Sequence, residues 1–301
     1  MKPTLSLCSA DLKNPWGTLG LKELLTFLID SNLFDITYHN EKFSVMRGER
    51  GSTLYYNSKK IYLDLWDYST PTYTDQIFNG NFDLVIKLQH PLMSEGVFEA
   101  ACKEKNMFQS HTKEERLLFF KKIIPWTFFC SRMMRPFIGM EDLIPPEPIE
   151  RFGFFCGKDW RCRRVIKEKL IRENIPYLIS DQETNTLPLK IEEYLHWMKT
   201  SKFGIVIHGR GAMGAEGKNR REIDYMMLKK PLLINYKPNY YNPLVEGKHY
   251  IYIDSNTDFK KLETMYNINE IANNGYQWYK DNASSKGVAN TFLQIMFERG
   301  F

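Results

Sequence analysis

Apolar and polar positions follow two patterns that predict strands and helices in turn along the chain. Short runs rich in β-branched and aromatic residues are typical of strands, and longer stretches with apolar residues at helical spacing indicate helices. In the first half, strands are predicted at Thr4–Cys8, Phe34–Tyr38, Thr53–Tyr56, Ile61–Trp66 and Asp83–Leu88, and helices at Leu21–Ile29, Gly96–Lys105 and Lys113–Lys122.

The second half repeats this alternation more regularly. Strands are predicted at Arg151–Cys156, Tyr177–Ser180, Phe203–His208, Pro231–Asn235 and His249–Asp254, and helices at Trp160–Glu173, Pro188–Lys199, Asn219–Lys230 and from Thr257 to the end. Because parallel strands need crossover connections, this order predicts a mostly parallel, doubly wound sheet. We therefore predict an α/β protein with two Rossmann-like domains.

A proline-rich segment separates the two halves. Leu143–Ile149 contains three prolines, which neither continue a helix nor fit a central strand. The segment predicts a stiff, extended linker. We place the first domain at 1–143 and the second at 144–275.

Composition narrows the class of protein and of ligand. The 301 residues are 43% hydrophobic and 26% charged, which excludes a disordered chain, a collagen and a coiled coil. Residues 1–150 have a net charge of −2 and residues 151–301 a net charge of +7. The second half is therefore the expected home of an anionic ligand. A non-enzymatic nucleic-acid-binding protein is an alternative function. The net charge of +5 is small for a protein of that class.

The cysteines and the hydropathy pattern predict a reduced, cytoplasmic protein without a membrane span. The five cysteines are odd in number and none has CxxC spacing, which argues against a disulfide framework or a zinc site. The first apolar run ends before Asp11 and is too short for a signal peptide. No uninterrupted apolar stretch approaches the roughly 18 residues that a spanning helix needs.

A glycine-rich loop in the second half has the features of a diphosphate site. It follows an apolar strand and precedes a helix, so backbone N–H groups and the helix start can both face an anion. Its proposed ligand-binding residues are His208, Gly209, Arg210, Gly211, Lys218 and Arg221. An exposed loop with ordinary surface cations is the alternative.

Arg221 and Asp224 are three residues apart, so they share one face of the predicted helix. The guanidinium can reach a phosphate while the carboxylate accepts hydrogen bonds from two ribose hydroxyl groups. A surface ion pair between them explains the spacing equally well.

Residues 209–214 also match the GxGxxG pattern of dinucleotide-binding proteins. That motif normally opens a helix directly after the first strand of its domain, with an acidic residue about 20 positions later. Here residues 215–218 lie between the motif and the predicted helix, and Leu233–Pro238 contains no acid. An NAD(P)-dependent oxidoreductase is therefore an alternative function.

These motifs together resemble the donor half of a known family. Ser201–Gly211, then Arg221-x-x-Asp224, then Leu228-x-x-Pro231 before an apolar strand, are similar to exostosin-like GT-B glycosyltransferases of the kind encoded by large algal viruses. The similarity covers Ser201 to Asp254. The family usually has Glu at the position of Asp224, which makes Glu222 an alternative ribose ligand. It usually has Gly at the position of Lys229 or Lys230.

The resemblance implies a GT-B fold, in which two Rossmann-like domains face each other across a cleft. It implies a nucleotide-sugar donor, UDP-linked and for example UDP-xylose, in the second domain, and an oligosaccharide or glycoprotein glycan acceptor in the first. It adds Gly157, Lys158 and Arg163 to the donor site. It also implies transfer without a metal ion, and a C-terminal helix at 276–301 that packs back on the first domain.

An inverting transfer needs a general base beside the acceptor hydroxyl group. Three ionisable residues of the first half follow predicted strands: Asp11, Asp67 and His90. Each is also compatible with an ordinary surface or capping role. We expect one of them to be the catalytic base.

Overall fold

The computed structural model describes residues 2–9, 21–40, 51–64, 74–87, 95–104, 110–126, 134–156, 161–175, 177–180, 190–207, 221–238 and 241–301. The chain divides into two compact units. The first comprises Met1–Phe128, Asn239–Asn242 and Ser285–Phe301, and the second comprises Phe129–Pro238 and Pro243–Ser284.

Strands and helices alternate through the described residues of both units. The strands are β1 Thr4–Cys8, β2 Asp35–His39, β3 Gly51–Tyr56, β4 Lys59–Asp64, β5 Leu84–Lys87, β6 Ile123–Pro125, β7 Arg151–Cys156, β8 Tyr177–Ser180, β9 Ser201–Val206, β10 Leu232–Ile234 and β11 Tyr250–Tyr252. The helices are α1 Leu21–Asp30, α2 Thr74–Asn79, α3 Glu95–Glu104, α4 Lys113–Phe120, α5 Arg161–Arg172, α6 Ile191–Lys199, α7 Arg221–Met227, α8 Leu262–Met265, α9 Ile268–Asn282 and α10 Ser285–Glu298.

The sheet of the first unit is mixed rather than wholly parallel. Its strand order is β2-β1-β3-β4-β5-β6, and only β3 among these described strands runs opposite to its neighbours. Tyr56 pairs with Lys59, so the intervening connection has room for a hairpin turn but not for a crossover. Asn57 adopts the left-handed conformation that such a turn requires, with a φ of 53°. The hairpin adds one antiparallel strand to a sheet that is otherwise parallel, as predicted.

Both faces of the first sheet are covered by apolar side chains. On one face, Tyr62 and Val85 pack with Phe98 of α3 and Phe119 of α4. The last helix, α10, packs against α1. Its Phe292 ring lies 5.9 Å from the rings of both Phe34 and Tyr56, measured between centroids. The C-terminal segment from Ser285 is thus part of the first unit.

The sheet of the second unit is parallel and doubly wound. Its strand order is β11-β10-β9-β7-β8, and every described pair is parallel. Ile166 and Leu170 of α5 pack with Phe155 on one face. Residues of α6 and α7 contact Phe154, whose side chain points to the other face. The predicted α/β class is confirmed.

The proline-rich segment belongs to the second unit instead of hanging between the two. Glu147 accepts hydrogen bonds at 2.5 Å from Lys199 Nζ and from His196 Nδ1. The hydrogen bond and charge of Lys199 lower the pKa of the Glu147 carboxyl. Backbone bonding continues from Glu150 N to Thr200 O, at 2.8 Å. The second unit begins at Phe129, whereas the sequence predicts that it begins at residue 144.

The predicted C-terminal helix is interrupted twice. The Asn267 side chain accepts a hydrogen bond from Glu270 N and starts α9, because asparagine competes well as an N-cap. Two further elements, α2 and β6, have no counterpart among the predicted elements. Within the described ranges, no helix combines the length and the apolar character needed to cross a bilayer.

Candidate functional site

The second sheet reverses its direction of growth between β7 and β9. In chain order the strands lie 2-1-3-4-5 across the sheet, with β7 first and β9 third. In open parallel sheets of this kind, ligands bind outside the carboxyl ends of the strands at the point of reversal. The two strands are adjacent and in register, with Phe154 beside Gly204. Their carboxyl ends therefore define the candidate site.

Both loops singled out by sequence begin at this point of reversal. Gly157 and Lys158 follow β7, and the segment from His208 to Lys218, which holds Gly209, Arg210 and Gly211, follows β9; all of these lie outside the described residues. Arg163 is in the first turn of α5. Arg221 begins α7 and is partly exposed. Because helices of a parallel sheet run back against their strands, α5 and α7 both begin at the carboxyl edge.

Helix α7 is held across β7 and β9 by one tyrosine. The Tyr225 hydroxyl donates a 2.5 Å hydrogen bond to the carbonyl oxygen of Phe154 in β7. Its ring covers Gly204 of β9 so closely that a Cβ there would lie 2.3 Å from the ring. Tyr225 is four residues after Arg221, one helical turn further from the carboxyl edge. The start of α7 is therefore fixed beside the point of reversal.

The two acidic residues of α7 are buried in the structure. Asp224 is 0% exposed and Glu222 is 1% exposed. The Tyr194 hydroxyl of α6 donates a 2.8 Å hydrogen bond to Asp224 Oδ2. This contact ties α7 to α6, so ribose hydroxyl groups would have to displace Tyr194 to reach that oxygen. Asp224 is thus fully buried while Arg221 is partly exposed, whereas the sequence predicts that both residues lie on one ligand-binding face.

The turn after α7 adopts a conformation that favours glycine. Lys229 has a φ of 53°, in the left-handed backbone region that residues other than glycine seldom adopt. Its ammonium group lies 4.3 Å from the centroid of the Tyr276 ring and 3.7 Å from Asp142. These contacts offset part of the backbone strain.

The position of the GxGxxG segment disfavours a dinucleotide site. Residues 209–214 follow β9, the third strand of the second unit, whereas the fingerprint follows the first strand of its fold. The strand order of the second sheet, 2-1-3-4-5, also differs from the 3-2-1-4-5-6 order of dinucleotide-binding domains.

The candidate bases follow strands that end at one edge of the first sheet. Strands β1, β4 and β5 are mutually parallel in direction, so their carboxyl ends share an edge. Asp11, Asp67 and His90 come after these three strands in sequence and lie outside the described residues. Asp64 and Lys87 lie at the edge itself, as neighbours on β4 and β5.

Asp64 and Lys87 form a buried ion pair. Lys87 Nζ donates to Asp64 Oδ2 at 2.9 Å, and their side chains are 3% and 0% exposed respectively. A buried pair of this kind seldom increases stability over apolar residues of similar size. Among the described residues, no three His, Cys, Asp or Glu side chains gather as ligands for a metal ion.

The residues that position α7 are not predictable from local sequence patterns. Gly204, Tyr225 and Tyr194 lie in elements that were predicted, but their contacts join positions far apart in the chain. One signal was present: an isolated glycine inside an apolar strand often marks close approach of another group. Gly204 within Phe203–Val206 fits that signal.

Comparison with known proteins gives likeness at the level of structure. No protein-family model matches the sequence. No curated protein matches it either. TarM matches with a TM-score of 0.41 and 12% identity, over 73% of this chain and 52% of TarM. The pneumococcal O-GlcNAc transferase GtfA, solved with UDP and GlcNAc, matches with a TM-score of 0.36 and 12% identity, over 78% of this chain and 48% of GtfA.

An alpha1,3-fucosyltransferase matches over most of both chains. Its TM-score is 0.41 and its identity 15%, over 98% of this chain and 90% of the fucosyltransferase. By contrast, the chain spans about half the length of TarM and of GtfA. At these identities and TM-scores, no residue role is transferred from these proteins.

Proposed function

We propose that this protein is a GT-B glycosyltransferase that moves a sugar from a nucleotide diphosphate to a glycan. The observation that carries the proposal is that the adjacent parallel strands β7 and β9 end side by side where the strand order reverses. The loop after β7 begins with Gly157 and Lys158, and the loop after β9 holds the glycine-rich segment that leads into Arg221. Glycine-rich backbone and cations at a point of strand reversal suit a diphosphate.

The leaving diphosphate is the group that this site would stabilise. As the bond to the anomeric carbon breaks, negative charge grows on the diphosphate oxygen. Arg221, with Arg210, Lys218, Lys158 and Arg163, would neutralise that charge, assisted by backbone N–H groups. Such cations replace a divalent metal in this role, so the proposed transfer needs none. A UDP-linked donor, for example UDP-xylose, and a cytoplasmic location complete this part of the proposal.

We place the acceptor glycan on the first unit. In an inverting reaction, the acceptor hydroxyl oxygen attacks the anomeric carbon, its proton passes to a base, and UDP leaves. Asp11, Asp67 and His90 are the proposed candidates for that base, since each follows a strand that ends at the carboxyl edge. Ionised carboxylates suit this role near neutral pH, and so does a neutral imidazole.

Ligand-induced stabilisation tests the proposal directly. UDP should raise the melting temperature in the presence of EDTA, because the proposed site uses cations of the protein alone. Ligand at about 100 times its dissociation constant adds about 2.7 kcal/mol. GDP, NAD⁺ and a short oligonucleotide serve as comparisons. Absence of a shift with both UDP and GDP at millimolar concentration would contradict the proposal, and stabilisation by NAD⁺ alone would favour the oxidoreductase.

A further inference from the structure

Four polar residues gather on one face of the first sheet at its carboxyl edge. Asp64 and Lys87 are register partners on β4 and β5. Thr53 of β3 pairs with Tyr62, which lies two residues before Asp64 and so on the same face. His39 ends β2 and pairs with Cys8 of β1. The His39 and Tyr55 rings are in contact, with centroids 5.1 Å apart, which places His39 on this face as well.

Two of the four have hydrogen-bonding atoms that no described residue satisfies. Thr53 is 1% exposed, and its hydroxyl oxygen has no hydrogen-bond partner within the described part of the chain. Both ring nitrogens of His39 are buried and are likewise without a partner there. Buried polar groups in native proteins are nearly always satisfied, because leaving them unpaired costs free energy. Two residues with this property, on the strands to either side of β1, indicate a site that a ligand completes.

The spacing of these residues defines the size of the ligand. Leu7 pairs with Leu54, so one further step of the antiparallel register places Thr53 beside Cys8. His39 lies on the other side of Cys8. Their Cα atoms are thus separated by two strand spacings, or about 10 Å. Cys8 is the register partner of His39 and lies between the two residues on the same face, so a ligand that contacts both has to pass over Cys8. A sugar residue, which carries hydroxyl groups on opposite sides of its ring, has the required arrangement of hydrogen-bonding groups.

The chemistry of the face favours an uncharged ligand that carries hydroxyl groups. The Thr53 hydroxyl and the two His39 ring nitrogens can form hydrogen bonds with sugar hydroxyl groups, which both donate and accept. The charges of Asp64 and Lys87 already neutralise each other. The Tyr55 ring, perpendicular to the His39 ring within 8° (82°), holds the imidazole in one orientation.

We propose that His39 and Thr53 bind hydroxyl groups of the acceptor sugar in the first unit. The inference rests on the proposed function for the identity of the acceptor, but the binding site itself does not require a donor. Neither residue is among the candidate bases, and both act here by binding and orienting the sugar.

Isosteric variants separate ligand binding from folding. Thr53→Val should leave the free energy of unfolding equal to or above that of the wild type, since it removes an unsatisfied hydroxyl without changing shape. His39→Gln should also fold. Thr37→Val is the matched control, because Thr37 pairs with Ser6 on the same face but further from the carboxyl edge.

The measurement is binding of methyl glycosides of glucose, galactose, mannose, xylose and fucose by NMR titration, without donor. The glycoside that the wild type binds best should bind Thr53→Val and His39→Gln about three- to tenfold more weakly, a loss typical of one hydrogen bond. Thr37→Val should bind it as the wild type does. UDP should stabilise all four proteins equally.

Three results would overturn the inference. They are equal glycoside binding by wild type and both variants, a marked loss of stability in Thr53→Val, and failure of the wild type to bind any glycoside. In each case the UDP result still decides the proposed function, so the two failures are distinguishable. Weakened glycoside binding with unchanged UDP stabilisation supports the inference.

Discussion

At the scale of single residues, the two charged residues Arg221 and Asp224 of α7 differ in burial. Arg221 is partly exposed at the edge of the second sheet, whereas Asp224 is fully buried and accepts a hydrogen bond from Tyr194. The buried Asp224 carboxylate holds the helix at whose first position the partly exposed Arg221 lies. In this arrangement Asp224 positions the helix, and Arg221 at the start of the helix is the residue proposed to contact the ligand.

Replacing Arg221 with alanine should reduce sugar transfer more than folding. The guanidinium stabilises charge that develops on the leaving diphosphate, so kcat/KM should fall by an amount equivalent to roughly 2–4 kcal/mol. Steady-state kinetics with the preferred UDP-sugar measure this loss. Arg172→Ala is the matched control, since Arg172 is exposed at the last position of α5, at the opposite edge of the sheet. Unchanged kinetics in a folded Arg221→Ala protein would move the role to Arg210, Lys218 or Lys158.

His249 gives the second unit a stability that depends on pH. Burial lowers the pKa of His249 to about 4, and its Nδ1 accepts a 2.8 Å hydrogen bond from Val245 N. The unfolded chain binds a proton near the ordinary histidine value of 6.5, so this contribution is complete above that pH. As the pH falls from 6.5 to 4, the unfolded state takes up the proton first and stability declines.

His249→Asn tests this dependence, because its side-chain oxygen can still accept from Val245 N but does not titrate. Between pH 7 and pH 4 the wild type should lose on the order of 2–3 kcal/mol more unfolding free energy than the variant. Urea unfolding at the two pH values gives the comparison. Identical pH dependence of the two proteins would show that His249 does not contribute.

At the scale of elements, the position of α7 depends on the absence of a side chain at Gly204. The Tyr225 ring occupies the space that a Cβ would need, and its hydroxyl bonds to Phe154 across the neighbouring strand. The helix therefore approaches the sheet more closely than a residue with a side chain would allow. This approach sets the distance from Arg221 to the carboxyl ends of β7 and β9.

Gly204→Ala should displace α7 and weaken both stability and donor binding. The added Cβ would lie 2.3–2.6 Å from atoms of a ring that cannot bend aside, so a loss of about 1–3 kcal/mol is expected. Chemical unfolding and UDP titration measure the two effects. Gly96→Ala in α3 is the control, because nothing lies within 4 Å of its added Cβ. A Gly204→Ala protein as stable as the wild type would refute the close approach.

At the scale of the whole molecule, the two units divide the proposed chemistry. The second unit has a parallel sheet with one point of reversal, which suits the anionic donor. The first unit has a mixed sheet whose carboxyl edge gathers buried polar residues, which suits a neutral acceptor. Its last helix comes from the C-terminus, so the chain completes the first unit only after the second.

Because the donor site and the candidate bases are proposed for different units, replacing the catalytic base should leave donor binding unchanged. Asp11→Asn, Asp67→Asn and His90→Gln remove ionisation at the three candidate positions of the first unit. The variant that lacks the true base should lose transfer by ~10²–10⁴-fold while UDP still raises its melting temperature. Transfer and thermal shift are measured on the same preparations. If all three variants keep full transfer, a retaining mechanism without such a base becomes the better account.

Local patterns in the sequence were sufficient for the second unit. All five strands of its sheet were predicted, because hydrophobic runs between helical stretches report directly on a parallel sheet. The order of elements also placed the loops after β7 and β9 at its carboxyl edge. Cations and glycines in those loops are visible in the sequence, so the candidate donor site was predictable as a region.

Only the tertiary structure decided which side chains are buried and which face each other. The burial of Asp224, the approach of Tyr225 to Gly204, and the gathering of His39 and Thr53 each join residues at least 14 positions apart. The reversed direction of β3 follows from a two-residue turn that strand propensity does not register. The spacing of apolar residues determines whether one segment forms a helix or a strand. Contacts between segments depend on strand register and on how side chains pack, and both arise only when the chain folds.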